Sequence, residues 1–324
     1  MIMNDMRFVD LHCDSILEIY TKKRDLADLA GHINLEKLRR GEVLMQCFAA
    51  FIATHDCAIR NNITAGAYEL FCAMADIFDR ETALYPDILA PARSYADVEE
   101  NRAAGKISAL FTVEDAVPLE GKIERVDEMY ARGVRMAALL WNYENSLGFP
   151  NSADAREHAK PLKPFGREAV ERMNELGIIV DVSHLSEGGF WDVADISRKP
   201  FIASHSCARA LCDHSRNLTD AQLRAVAEHG GVVGVNFYSA FLNGREDYTS
   251  NADIIRHMDY IRKKAGVESV ALGSDFDGID CALELGDCAG LPNLAGEMER
   301  VFTDDEIDLI ASKNALRVLR DTVG

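Results

Sequence analysis

A chain of 324 residues can bury a large core, and 48% hydrophobic with 27% charged residues is the composition of an ordinary soluble globular protein. Its formal net charge of −18, spread along the chain, argues against nucleic acid or anionic lipid as a partner. The first residues lack a basic stretch followed by an apolar core, and no apolar run has the length of a membrane span, so a cytoplasmic protein without membrane contact is expected.

The first predicted strand begins near Arg7 and ends in Val9-Asp10-Leu11-His12-Cys13-Asp14. Residues two apart on a strand share a face, about 6.5 Å from one another, so His12 and Asp14 point the same way toward one small cation. Cys13, between them, points away. Taken alone the triplet carries little, because a helix-capping aspartate beside a histidine is commoner than a ligand pair. Residues 16 to 40 predict a helix and then a loop around Gly31, and the apolar run from Val43 to Ala53 predicts a second strand.

Apolar residues at helical spacing (Ala67, Leu70, Phe71, Met74, Ile77, Phe78) predict a helix over 64–80 whose face belongs to the core. A third strand, 106–113, runs straight into Glu114 and Asp115. A fourth, 134–141, is followed by the polar loop from Asn142 to Gly148 and a helix over 164–176 that Gly177 stops. The fifth strand, 178–182, ends in Ser183-His184, and the sixth, 200–203, in Ser204-His205. The seventh covers 231–238, a helix follows over 252–265, and the eighth, 269–273, ends in Ser274-Asp275-Phe276-Asp277-Gly278. A helical tail from Thr303 to Arg320 opens on the capping pattern Thr303-Asp304-Asp305-Glu306.

Near-continuous apolar strands alternating with amphipathic helices are what a parallel sheet buried on both faces requires. With no repeat, low-complexity tract or linker to divide it, the chain is expected to form one α/β domain over residues 1–324, a (β/α)8 TIM barrel of the metal-dependent hydrolase type. In such barrels the chemistry sits at the C-terminal ends of the strands. Here those ends carry His12, Asp14, Glu114, His184, His205 and Asp275. Each singly reads more readily as a cap or a satisfied core histidine, but six on strand ends are not explained that way. The other histidines, His32, His55, His158, His214, His229 and His257, fall in helices or loops. His229 suits a helix C-terminus. The eight cysteines form no Cys-x-x-Cys pair and are expected to be reduced and structural.

Three histidines and two carboxylates are too many donors for one open zinc site and suit two divalent cations about 3.5–4 Å apart. Glu114 would bridge them, with His12 and Asp14 on one ion and His184 and His205 on the other. A water shared by two cations becomes hydroxide near neutral pH and attacks a carbonyl, and Asp275 stands where a proton acceptor is needed.

The His12-Cys13-Asp14 triplet, the Val113-Glu114 strand end, Asp181-Val182-Ser183-His184, Ser204-His205-Ser206, Arg216-Asn217 and the Gly273-to-Gly278 turn together resemble the membrane (renal) dipeptidase family of the amidohydrolase superfamily. The similarity runs from Asp10 to the segment Asn314-Ala315-Leu316-Arg317-Val318. It implies a binuclear zinc barrel that hydrolyses small dipeptides, often with a D-residue on the leaving side. By motif, His12, Asp14, Glu114, His184 and His205 are then metal ligands, Asp275 is the proton shuttle, and Arg216 grips the substrate carboxylate, for which its planar fork is suited. The sequence departs from the family after the fourth strand, where better-known members place a substrate-touching histidine. Here Trp141-Asn142-Tyr143 stands, and Asn142 is either an oxyanion donor or a loop-former. A binuclear hydrolase of lactones, N-acyl amino acids or phosphoesters is the alternative activity, and an inert barrel serving as an interaction surface a third reading. A homodimer is left open.

Overall fold

The computed structural model describes residues 7–324. Eight parallel strands form the barrel: β1 (Phe8–Cys13), β2 (Val43–Phe51), β3 (Ile107–Glu114), β4 (Met136–Ala138), β5 (Ile179–Asp181), β6 (Ala203–Ser206), β7 (Val233–Val235) and β8 (Val270–Leu272). Parallel ladders join them in chain order from β1 to β5 and from β6 through β8 back to β1. The β5–β6 seam is closed by one bridge, Asp181 to Ile202, with backbone bonds from Val182 N to Ile202 O and from Ile202 N to Val180 O. The expected barrel of eight strands is therefore present, nearly closed.

Every residue of β1, β2 and β3 is buried, as strands covered on both faces must be. The covering helix Ala67–Leu84 lays Phe71 and Phe78 against the β3 residue Phe111, with ring centroids 6.2 and 4.8 Å away. Phe111→Ala is expected to lower unfolding free energy by about 3–5 kcal/mol, measured by denaturant titration, because the closed sheet cannot collapse into the space left.

The helix Pro164–Leu176 starts on proline and stops at Gly177, whose φ of +82° only glycine adopts freely. The expected capping box at Thr303 forms with Glu306, and His229 is the C-terminal cap of helix Asp220–Glu228. The structure departs from expectation in three places. Residues 16–40 hold the expected helix, Ser15–Lys22, and the loop around Gly31, but add a turn of 3-10 helix at Leu26–Asp28 and a second helix, Leu35–Arg40. The sixth strand lies at Ala203–Ser206, beyond the apolar segment 200–203, so His205 is inside it. An additional strand, Leu89–Ala92, pairs with the first half of β3, below the point where β4 joins. It contains Pro91, which gives the ladder no N–H, and is too short and mixed to read as a strand.

The C-terminal helix Asn314–Thr322 crosses the N-terminal ends of the strands. Asn314 Nδ2 donates to Val267 O and Val270 O at 2.8 and 2.9 Å, Arg317 donates to Gly230 O and Glu268 O, and Thr322 O accepts from Lys199 Nζ. Its Leu316 and Leu319 pack with Val9, Leu11, Leu110 and Ile202. That mouth is plugged, which leaves the opposite, C-terminal mouth for chemistry. Among the described residues no helix is long and apolar enough to cross a membrane.

Candidate metal centre

All six strand-end residues meet at the C-terminal mouth. His12 is the penultimate residue of β1, and Asp14 lies just past the strand as the N-cap of helix Ser15–Lys22, with Oδ1 3.7 Å from His12 Nε2. Glu114, the last residue of β3, divides its carboxylate: Oε2 is 3.0 Å from His12 Nε2, while Oε1 is 2.9 Å from His184 Nε2 and 3.4 Å from His205 Nε2. The latter two nitrogens are 3.0 Å apart. Asp275 Oδ1 completes the ring 4.0 Å from His12 Nε2. His12, Glu114 and His205, and likewise His12, Asp14 and Asp275, bring their ligand atoms within 4.8 Å of one another.

The donor chemistry fits divalent cations. Among the described residues, His12 Nε2 and Asp14 Oδ1 are buried without a hydrogen bond. Glu114 lies beside that nitrogen without accepting from it, so the atoms face a common point as ligands do. Burial pushes Asp14 up to about 6 and Asp275 up to about 7. Burial also works against the charged form of Glu114, yet the imidazole of His12 holds it well below the carboxylate range. In His12, burial is outweighed by Glu114 and Asp14, which raise it well above its usual value. Carboxylates confined this way call for positive charge. Burial, aided by Arg216, lowers His184 to about 4, and burial with His12 lowers His205, so both are neutral as metal ligation requires.

Backbone strain marks two of these residues: His184 has φ +67° and Asp275 +64°, in the left-handed region disfavoured for side chains. Around Asp275 the turn is tied down. Asn236 Nδ2 donates to its Oδ2 at 2.8 Å, and Ser274 donates through N and Oγ to the buried Asp10 at 2.8 and 2.6 Å. A Cβ on Gly278 would lie 2.3 Å from Asp14 Oδ2 and 2.5 Å from Asp275 Oδ1. Gly278→Ala is therefore expected to displace both carboxylates and lower metal affinity at least tenfold, as for lost ligand support, read by chelator competition, with little change in thermal stability of the metal-free protein.

Arg216 is buried, donating from Nη1 to Ser206 Oγ at 3.3 Å and from Nη2 to His205 O at 3.1 Å, with the Phe241 ring 5.4 Å from its guanidinium carbon. Its Nε has no partner among the described residues. Asn142 is exposed and spends its side-chain oxygen on His184 Nδ1, 2.9 Å away. What it offers a substrate is only the amide nitrogen. Trp141 N is bound by Asp115 Oδ2 at 2.9 Å, and Asp115 Oδ1 accepts from Asn145 Nδ2 at 2.6 Å, so this buried carboxylate, raised by burial to about 7, anchors the loop after β4 to the end of β3. Sequence reasoning gave Asp10, Asp115 and Asn236 no part in the site. For Asp115, its place directly after Glu114 was the available signal.

The family model described as membrane dipeptidase (peptidase family M19) matches residues 1–323. The "uncharacterized protein in pqqA 5′ region" of Klebsiella pneumoniae is 41% identical over 238 residues, which cover 70% of this chain and 87% of that protein. The dipeptidase aclJ of Aspergillus oryzae is 32% identical over 305 residues, 92% of this chain and 71% of that protein. A crystal structure of a metallopeptidase from Rhodobacter sphaeroides, liganded with a phosphinate mimic of the dipeptide L-Ala-D-Ala, superposes with a TM-score of 0.88 at 26% identity, covering 98% of this chain and 99% of that one. The chain belongs to the membrane dipeptidase family and is an enzyme, a hydrolase of the metallopeptidase kind.

Proposed function

We propose that this protein is a zinc-dependent dipeptidase that cleaves the single peptide bond of small dipeptides and accepts a D-residue on the C-terminal side. The observation that carries it is the divided carboxylate of Glu114, one oxygen toward His12 and the other toward His184 and His205, with Arg216 buried alongside. His12, Asp14 and Glu114 would hold one cation, and Glu114, His184 and His205 the other. Imidazole and carboxylate together suit zinc. When bound, the ions supply an acidified water and polarise the scissile carbonyl.

The chain's own residues do the rest. Arg216 pairs with the free C-terminal carboxylate and sets which bond lies at the centre. Asp275, with Oδ2 fixed by Asn236 and Oδ1 turned toward His12, takes the proton of the attacking water and passes it to the leaving amine. Asn142 holds the His184 ring and presents its amide nitrogen at the rim. Acceptance of a D-residue is supported by the L-Ala-D-Ala mimic bound to the Rhodobacter sphaeroides metallopeptidase.

Metal analysis with hydrolysis of L,L and L,D dipeptides tests this reading. Two zinc equivalents and dipeptide turnover are expected. Turnover confined to a lactone, an N-acyl amino acid or a phosphoester would overturn it. Amidating the C-terminal carboxylate is expected to lower kcat/KM by about 30- to 5,000-fold, since a buried charge left unpaired costs about 2–5 kcal/mol. In Arg216→Met the acid and the amide should be cleaved at similar, low efficiency, and continued preference for the acid would remove Arg216 from this role.

A further inference from the structure

Two histidines of the centre are held by unlike partners. His184 Nδ1 meets the oxygen of the exposed, neutral Asn142. His205 Nδ1 lies 2.7 Å from Ser204 Oγ, and that hydroxyl donates to Asp181 Oδ2. The other oxygen of Asp181 accepts from the backbone N–H groups of Ser183 and Ser204, each at 2.9 Å. Asp181, Ser204 and His205 are 2%, 0% and 1% exposed, so water does not compete for these bonds.

We propose that Asp181, acting through the Ser204 hydroxyl, is a positioning residue that holds His205 with Nδ1 protonated and Nε2 free beside Glu114, and thereby sets the affinity for the cation on the β6 side. A hydroxyl has one proton. The carboxylate takes it, so the hydroxyl oxygen must accept from His205, and only an Nδ1–H can supply that bond. The ring's lone pair is then left on Nε2, 3.4 Å from Glu114 Oε1. A carboxylate behind the ring also makes a ligating nitrogen more basic, which a neutral amide does not do to the same degree.

Neighbouring residues of a regular strand point to opposite faces. Ser204 reaches the ring of His205 because the register of β6 against β7 shifts between Ala203 and Ser206. Glycines on β7 and just after β8 leave room for this stretch: a Cβ on Gly234 or Gly273 would fall 2.0 or 1.8 Å from Ser204 O. The same carboxylate ties β5 to β6 at the seam with one bridge, so its structural and positioning parts must be separated by experiment.

The inference rests on the metal-centre reading, and zinc competition against a colorimetric chelator tests the two separately. Ser204→Ala is expected to lose about 10–100-fold in affinity for one of two zinc equivalents, the other unchanged, and Asp181→Asn to follow it. The control is Ser183→Ala, which removes the hydroxyl 3.3 Å from Ser204 Oγ that accepts from His205 N. It should lower the melting temperature of the metal-free protein and leave both zinc affinities within about threefold, since the bond to the ring survives. Wild-type affinity in Ser204→Ala, or an equal loss in Ser183→Ala, would overturn the relay. Failure of the unmodified protein to take up zinc would overturn the metal-centre reading and the relay with it. Should Asp181→Asn not fold, Ser204→Ala against Ser183→Ala decides the matter.

Discussion

Asp275→Asn is expected to lower kcat on a dipeptide by about 10²–10⁴-fold, the range for a lost general acid–base group, while zinc content stays at two equivalents. The amide has the carboxylate's shape, and an oxygen in place to accept from Asn236 keeps the turn after β8 in register. What disappears is the ability to take up a proton. Burial holds this carboxyl near neutrality, where an acceptor can also become a donor within one catalytic cycle. KM should move little, because Arg216, held against Ser206 and His205 at the end of β6, carries the binding of the substrate carboxylate. Wild-type turnover would remove Asp275 from proton transfer. A loss of one zinc equivalent would make it a ligand, a role its 4.0 Å approach to His12 leaves geometrically open.

Glu114→Gln should be more severe, because both cations are expected to depend on this one side chain. Its two oxygens face different histidines, so replacing one oxygen by a nitrogen that carries protons turns a ligand into a blocking donor on whichever side it falls. Zinc content is expected to fall below one equivalent. Activity should drop by about 10³-fold or more, corresponding to the several kcal/mol a metal contributes to a hydrolytic transition state. Metal-free melting temperature should change little, since the substitution conserves volume. Two zinc equivalents retained in Glu114→Gln would mean that Glu114 does not bridge.

Much of the barrel was legible before any coordinates. Strands β2 and β3 were readable from runs of apolar residues, and helix Pro164–Leu176 from its proline and glycine, because these signals act within a few residues of where they stand. Segment Leu89–Ala92 was not legible: a four-residue edge strand containing proline is held by β3, not by its own preference. For β6, the apolar residues 200–203 marked the approach to the strand, while the pairing falls on the polar Ala203–Ser206, whose place is set by β7. In the site, the ligand types and strand-end positions were visible, yet the partner of Asn142 was not.

By itself the sequence determined the alternation of strand and helix and placed an imidazole or carboxylate at the end of β1, β3, β5, β6 and β8. A strand buried on both faces is largely apolar along its length, so an imidazole or carboxylate at its C-terminal end stands out against the run. Tertiary structure alone decided which of those groups touch: that Glu114 divides its oxygens between two sides, that Asn142 turns to His184, and that Ser204 joins Asp181 to its own neighbour His205. The reason is that such contacts depend on closure of the ring and on shifts of register in β1 and β6, where pairing with another strand, and not local composition, sets the direction of each side chain.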